Sequence, residues 1–421
     1  MDSDQDSTAD DWVILGSGTS TSDDDGVLAL SSGCATPASP SASDSDADAD
    51  PTTALVLAAA AAACADDTYP ISDAEDDDLY PAPSPPQPRP ISGLFHHTLT
   101  GDVAYAAFDP LPPATVSHHA VNKQLVPDPT FSTLIPDDVV RALASTRGLV
   151  CLRGAADKDY YVANPLTFSV ARLPRPDGDH WAKEDKPPGV VITFDVDDDG
   201  GDARGGGGDE GDHGRSFYRP YRVVVAFHVE DGAYAFETFS SRTWEWTIAD
   251  TVALAENVVP GSGVGVLGYA FWRTTMGFFL CFEPVSGCAD LVPAPMEVTD
   301  WTCWELGEME GALSATCTDD KLDTVVIVCP DLSRRTDTGD LVWTMAGHFE
   351  GGCLRGRGHV TLLRSQGKAE VVMWDRTKET VVAMDLEGRT TRTITFVPPG
   401  TGYYDDFIPY VSSLAAVSAS G

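Results

Sequence analysis

The chain has little positive charge, no long apolar run and no paired-cysteine motif, and each absence removes a class of function. Lys and Arg number 27 against 65 Asp and Glu, a net −38. A surface this negative repels phosphate backbones and anionic bilayers, so neither nucleic acid nor a membrane surface is an expected partner. Up to Pro90 there are 18 Asp and one Glu against one Arg, a net −18, which leaves −20 for the remainder. The longest apolar tract, Ala54 to Ala65, holds twelve residues. A membrane span needs about 20, and the acidic flanks of this tract are wrong for a targeting peptide. The nine cysteines include no Cys-x-x-Cys pair and follow no signal peptide. Cys151, Cys281 and Cys329 lie inside apolar runs, as reduced core thiols do, so the expected setting is cytoplasmic or nuclear.

Catalytic patterns are missing too. There is no nucleophile elbow, Walker loop or His-Glu-x-x-His, and the expectation is a protein that is not an enzyme and uses no cofactor or metal. Three partial motifs read as structure. Asp195-x-Asp197-x-Asp199-Gly200 opens like an EF-hand loop, but Gly206 stands where the bidentate Glu belongs. Gly263-x-Gly265-x-x-Gly268 satisfies the dinucleotide string, yet the residues after it read as strand, turn and strand rather than as a helix. The pairs His96-His97 and His118-His119 sit in loop-like, Pro-flanked sequence and are expected as surface polar residues.

What is present falls into two parts. Residues 1–90 are dominated by Asp, Ser, Ala, Thr and Pro, which cannot repay the entropy of ordering, so an acidic disordered tail is expected. Pro81 to Pro90 (PAPSPPQPRP) reads as a stiff polyproline spacer that marks the boundary. From Ile91 to about Val411, short strand-like runs recur between turn residues. They include Tyr221–Phe227, Ala235–Phe239, Trp244–Ile248, Gly265–Trp272, Gly277–Glu283 and Ala289–Val292. Leu313–Cys317, Thr324–Cys329, Leu341–Ala346, His359–Arg364, Glu370–Trp374, Thr380–Asp385 and Thr393–Val397 continue the series. Asp195 to Ser216, rich in Asp and Gly, interrupts it as a solvated insertion. Many five-residue strands with scarcely a helical period predict an all-β fold. At roughly 40–50 residues per blade, a β-propeller of six or seven blades fits. Residues 412–421 are expected to be a disordered end. Most of the tryptophans after Pro90 are expected in blade cores, with Trp301 or Trp304 a candidate for a binding surface.

The stretch Ser145 to Pro176 is the most specific in the chain. Gly148-Leu149-Val150-Cys151-Leu152 leads to Tyr161-Val162-Ala163-Asn164-Pro165-Leu166-Thr167 and ends at Leu173-Pro174. This order resembles the opening blade of the plant F-box-associated β-propellers. Ile91–Phe95, Phe131–Pro136 (FSTLIP, as a strand), Tyr221–Val224, Glu237–Trp246 and Gly268–Trp272 are similar to later segments of that family. The resemblance implies a propeller that recognises a protein, as the substrate receptor of a ubiquitin ligase. It also implies an F-box docking on the SKP1 adaptor, and no such amphipathic module stands in Met1 to Pro90.

Near the start, Asp10-Asp11-Trp12-Val13-Ile14-Leu15 resembles the ATG8-interacting motif of selective autophagy. Trp12 and Leu15 would fill two apolar pockets as the segment adds a strand to a sheet edge, with Asp10 and Asp11 meeting a basic rim. The competing reading is a chance Trp-x-x-Leu that packs back on the propeller. Three functions follow as expectations: a non-enzymatic protein-recognition module, an adaptor to ATG8, or a ligase receptor reaching SKP1 without a recognisable F-box.

Overall fold

The strand-forming runs assemble as six antiparallel sheets in the computed structural model. It describes residues 88–98, 100–108, 125–183, 186–196, 218–295, 303–319, 323–336, 340–350, 360–386, 390–394 and 407–418. The tail up to residue 87, the body of the acidic insertion, His118-His119 and Trp301 lie outside these residues.

The chain begins with β1 (Gly93–His97) and β2 (Val103–Ala107), and these belong to blade 1. Blade 2 is β3 (Val140–Thr146), β4 (Leu149–Gly154), β5 (Tyr160–Asn164) and β6 (Ser169–Arg172). Blade 3 is β7 (Gly189–Phe194), β8 (Tyr221–Glu230), β9 (Ala233–Ser240) and β10 (Glu245–Leu254). Blade 4 is β11 (Val264–Val266), β12 (Tyr269–Arg273), β13 (Phe278–Glu283) and β14 (Cys288–Pro293). Blade 5 is β15 (Cys303–Met309), β16 (Ala312–Thr318), β17 (Thr324–Cys329) and β18 (Thr344–Phe349). Blade 6 is β19 (Val360–Leu363), β20 (Glu370–Asp375), β21 (Thr380–Asp385) and β22 (Thr391–Ile394). Last comes β23 (Ile408–Tyr410), which returns to blade 1 and pairs with β1, Phe95 opposite Ile408 and Gly93 opposite Tyr410. The protein is a six-bladed β-propeller whose C-terminal strand completes the first blade.

Hydrophobic burial closes the ring. The inner and middle strands of most blades carry apolar residues on both faces, and each face packs on a different neighbour. In β8, Val223 and Val225 join the cluster shared with blade 2, whereas Val224 and Ala226 join the one shared with blade 4. Six such clusters fill the six blade-to-blade interfaces, and the last joins Leu363, Val372 and Val381 of blade 6 to Leu94 of blade 1. A propeller buries its sheets this way because no single blade has a core of its own.

The chain past β23 departs from the expected disordered end. Asn164, fully buried, donates to the carbonyls of Ser413 (3.0 Å) and Ala415 (2.8 Å). The Tyr221 hydroxyl donates to the Val417 carbonyl at 3.0 Å, and Val417 is buried between blades 2 and 3. Residues 412–418 therefore strap blades 1 to 3, and Asn164 of the Asn-Pro turn is the clasp.

Three further expectations need correction. Phe131–Pro136 is a turn, not a strand. The Asp128 carboxylate accepts the Thr133 amide at 2.6 Å, and Phe131 sits at φ 58°, which breaks any extended run. Gly265–Trp272 is two strands, because Leu267 and Gly268 (φ 51° and 83°) make a two-residue hairpin between β11 and β12. His96 and His97 are buried, because β1 is the middle strand of blade 1 with β2 and β23 on either side.

Burial has a consequence for His97. Neither ring nitrogen has a hydrogen-bond partner among the described residues. Desolvation, followed by the charges of Arg141 and His96, lowers its pKa from 6.5 to about 4. The unfolded chain takes up this proton at higher pH than the folded one, so stability is full above 6.5 and falls as pH drops from 6.5 toward 4. The loss at the acid end is about 3 kcal/mol. Denaturant titrations at neutral pH and near pH 4 should show a difference smaller by about this amount in His97→Leu than in the wild type. Equal differences would contradict this assignment.

Candidate recognition face

Inner strand β11 comes close enough to touch β7 because it carries glycine at 265 and follows one at 263. A Cβ on Gly265 would stand 2.1 Å from the Ile192 carbonyl oxygen, and one on Gly263 would stand 2.7 Å from that of Val190. The glycine string at 263–268 thus serves the packing of β11 on β7, and a hairpin follows it where a nucleotide site needs a helix.

Side chains of blade 6 then cross the axis. Arg364 donates to the carbonyls of Gly263 in blade 4 (2.6 Å) and Phe407 beside β23 (3.0 Å). Gln366 donates to the Ser145 carbonyl of blade 2 at 2.9 Å. The centre of the ring is bridged by protein rather than left as an open channel.

At one end of the axis the first hairpins of successive blades converge. Arg147-Gly148, Leu267-Gly268 and Glu310-Gly311 are two-residue turns with φ of 47° and 88°, 51° and 83°, 52° and 84°. Both central residues at positive φ define the type I′ turn, which suits the twist of paired strands. Blade 3 replaces this turn with the long acidic insertion. Three third hairpins repeat as well, each a four-residue loop whose last residue has positive φ: Phe168, Trp244 and Gly287.

The first hairpins of blades 2, 4 and 5 border a cavity of about 160 Å³ lined by Arg147, Thr193, Val196, Arg219, Leu267 and Glu308, among others. Its chemistry is mixed. Arg147 and Arg219 supply positive charge, and burial, then the nearby Arg147 charge, disfavours the protonated form of Arg219. Arg147 stacks over Phe194 at 5.6 Å and makes no ion pair among the described residues. The two lining acids are already engaged. Asp195 holds Arg222 and Arg242 at 2.7 Å each, and Glu308 accepts the amides of Gly311 (2.6 Å) and Gly367 (2.7 Å). The Thr193 hydroxyl is buried and unpartnered among the described residues. Val196 and Leu267 leave apolar surface at the rim, 61% and 42% exposed, and Trp244 is 39% exposed at its hairpin tip.

A second polar constellation is sealed. His180 Nε2 lies 2.7 Å from Glu237 Oε2, and the Tyr160 hydroxyl lies 3.0 Å from His180 Nδ1. Burial pushes the Glu237 carboxyl up. Hydrogen bonds from His180 and from the amides of Asp177 and Gly178 outweigh that and hold it below its usual value. All three side chains are under 5% exposed, so the chain of bonds clamps the segment around Asp177 on blade 3 from within the core.

Of the residues expected to bind partners, Asp10, Asp11, Trp12 and Leu15 lie outside the described residues. Asp195 is in an ion-pair network rather than at the start of a cation loop. Trp272 is core, Trp304 packs between blades 4 and 5, and Trp244 is the tryptophan that reaches the surface of the hairpin face. No group of three or more His, Cys, Asp or Glu placed to hold a metal ion occurs among the described residues. None of their helices is long and apolar enough to cross a membrane. Sequence reasoning missed Arg147, Thr193 and Arg219. The X-Gly step repeated before an apolar run at Gly148, Gly268 and Gly311 was the signal available.

No family model matches the chain, and neither does any curated protein sequence. Solved structures similar to it include YCF48 bound to a D1 peptide, at 13% identity over 62% of this chain and 69% of that one, TM-score 0.33. The WD40 domain of SCAP from fission yeast is 8% identical over 61% and 76%, TM-score 0.31. A prolyl endopeptidase is 14% identical over 73% of this chain and 44% of the other, TM-score 0.30. Likenesses at this level carry no functional inference.

Proposed function

We propose that the protein is a non-enzymatic recognition module that captures a protein partner on the hairpin face. The observation that carries this reading is the convergence of the Val196–Leu267 rim and the Arg147–Arg219 pair around one cavity, with Trp244 accessible at a separate hairpin tip. Aromatic and arginine anchors beside small apolar patches are what partner surfaces are enriched in. Rigid sheets that present many loops on one side suit the task. The test is affinity purification with the full chain, wild type against Trp244→Ser with Val196→Asp. A partner retained by the wild type and released by the variant is the expected result, and a partner retained by both would move the site elsewhere.

A second reading rests on the acidic Trp12-x-x-Leu15 segment, which would make the protein an adaptor to ATG8 in the cytoplasm or nucleus. The full chain should bind ATG8 and lose at least tenfold in affinity with Trp12→Ala plus Leu15→Ala, the loss of two apolar anchors. Undiminished binding removes this reading. A ligase role is read separately by co-purification with SKP1, and its support is the Ser145–Pro176 signature.

A further inference from the structure

The basic mouth of the axial cavity is an unusual feature in a chain of net −38, and the path of the chain supplies an occupant. The described residues begin at Pro88, on the hairpin face. The Arg89 carbonyl accepts the Lys368 amide at 2.8 Å, the neighbouring Gly367 amide donates to Glu308 at 2.7 Å, and Glu308 lines the cavity. The described chain therefore starts beside the mouth. Immediately before the Pro-rich spacer stands Asp76-Asp77-Asp78-Leu79-Tyr80. Eight extended residues, 81 to 88, reach roughly 25 Å at about 3.1 Å each, enough to cross the centre of a small ring.

We propose that the Arg147–Arg219 cavity is a binding site for an acidic-aliphatic peptide segment, and that Asp76–Leu79 of the same chain occupies it. The aspartates meet the two guanidiniums and the unpartnered Thr193 hydroxyl, while Leu79 covers the exposed rim of Val196 and Leu267. Arginine forks accept carboxylates bidentately, and the pairing strengthens where water is partly excluded. Two arguments favour this occupant. An acidic segment of another protein must approach against the net charge of the whole chain, whereas a tethered one is present at an effective concentration on the order of millimolar. The acidic run that follows Val196 in the sequence, Asp197 to Asp199, is followed by Gly, Asp, Ala and Arg and offers no large apolar residue for the rim. The inference stands on the cavity and the chain path and does not depend on the partner proposal. Its consequence is that the tail and any partner of the hairpin face compete.

The probe is a fluorescein-labelled peptide of residues 74–81, followed by anisotropy against the full-length protein. In the wild type the tethered segment competes; with Asp76→Asn, Asp77→Asn and Asp78→Asn it does not. The triple variant should bind the peptide about tenfold more tightly than the wild type, as removal of a millimolar internal competitor gives for a segment whose Kd is roughly 0.1 mM. Added Arg147→Gln and Arg219→Gln should abolish that gain. Both arginines are exposed, so an unchanged melting temperature is expected for the arginine variant. Equal affinity of wild type and triple variant, or a gain that survives the arginine changes, overturns the inference. So does an equal gain from Asp197→Asn, Asp198→Asn and Asp199→Asn. Release of a partner by Trp244→Ser with Val196→Asp is read in a separate experiment without the labelled peptide, so the two claims fail separately.

Discussion

A chain ending at residue 406 is expected to lose its cooperative unfolding transition. The missing residues include β23, the strand that completes blade 1, and the strap that follows it. Tyr410 is fully buried, and Ile408, Val411 and Val417 are 3%, 6% and 3% exposed. Burying one such side chain stabilises by about 1.5–3 kcal/mol. Four of them approach the about 5–15 kcal/mol that holds a typical domain together. The loss is also topological, since β1 would become an open edge and Asn164 would keep a buried amide with no acceptor. Calorimetry of the truncated chain should show no sharp transition, with near-ultraviolet circular dichroism flattened. A melt within a few degrees of the full-length protein would contradict closure by the C-terminal strand.

The second large effect is expected at Arg392. Its guanidinium pairs with the Glu370 carboxylate between β22 and β20, with side chains 5% and 2% exposed. It also donates to the Ile91 carbonyl at 2.6 Å and lies 4.9 Å from the centre of the Phe108 ring, while the Ile91 amide donates to Glu370 at 3.3 Å. The pair is thus the polar rivet between the last blade and the first. Arg392→Ala leaves a buried carboxylate without its countercharge and should cost about 3–5 kcal/mol in denaturant-derived stability. Arg392→Met combined with Glu370→Leu removes both charges and should recover most of that loss, because desolvation of the pair opposes its attraction. A double variant as unstable as the single one would show that the hydrogen bonds to Ile91, rather than the charges, hold the seam.

The fold was legible where strands carry β-branched and aromatic runs. Tyr221–Phe227, Gly277–Glu283 and Thr324–Cys329 fall on β8, β13 and β17 with small shifts. Inner strands were harder to read. β3 mixes Val, Ala and Leu with Arg, Ser and Thr, β11 is three residues ending in a hairpin, and β23 is three residues with a central proline. Packed on both faces, such strands lose the alternation that marks a half-buried sheet. Gly189–Phe194 is a readable apolar run outside the strand series above, and the acidic insertion separates it in sequence from its partner β8. Less of the recognition face was legible. Trp244 reads as core with the other tryptophans, and its place at the end of a four-residue loop with φ 61° brings it to the surface. Arg147, Thr193 and Arg219 come from two blades and the end of an insertion, so no local spacing joins them. Sequence read the Asn-Pro turn as punctuation, whereas the structure makes Asn164 the clasp of the C-terminal strap.

The claim on which the rest depends is that strands from opposite ends of the chain meet in one blade and shut the ring. Native-state hydrogen exchange read by mass spectrometry tests it directly. Peptides covering Gly93–His97 and Ile408–Tyr410 should exchange as slowly as those covering β8 and β9, and should open together with them. Rapid exchange at 408–410 beside protected β8 and β9 would mean an open series of blades, and the recognition face described here would not form.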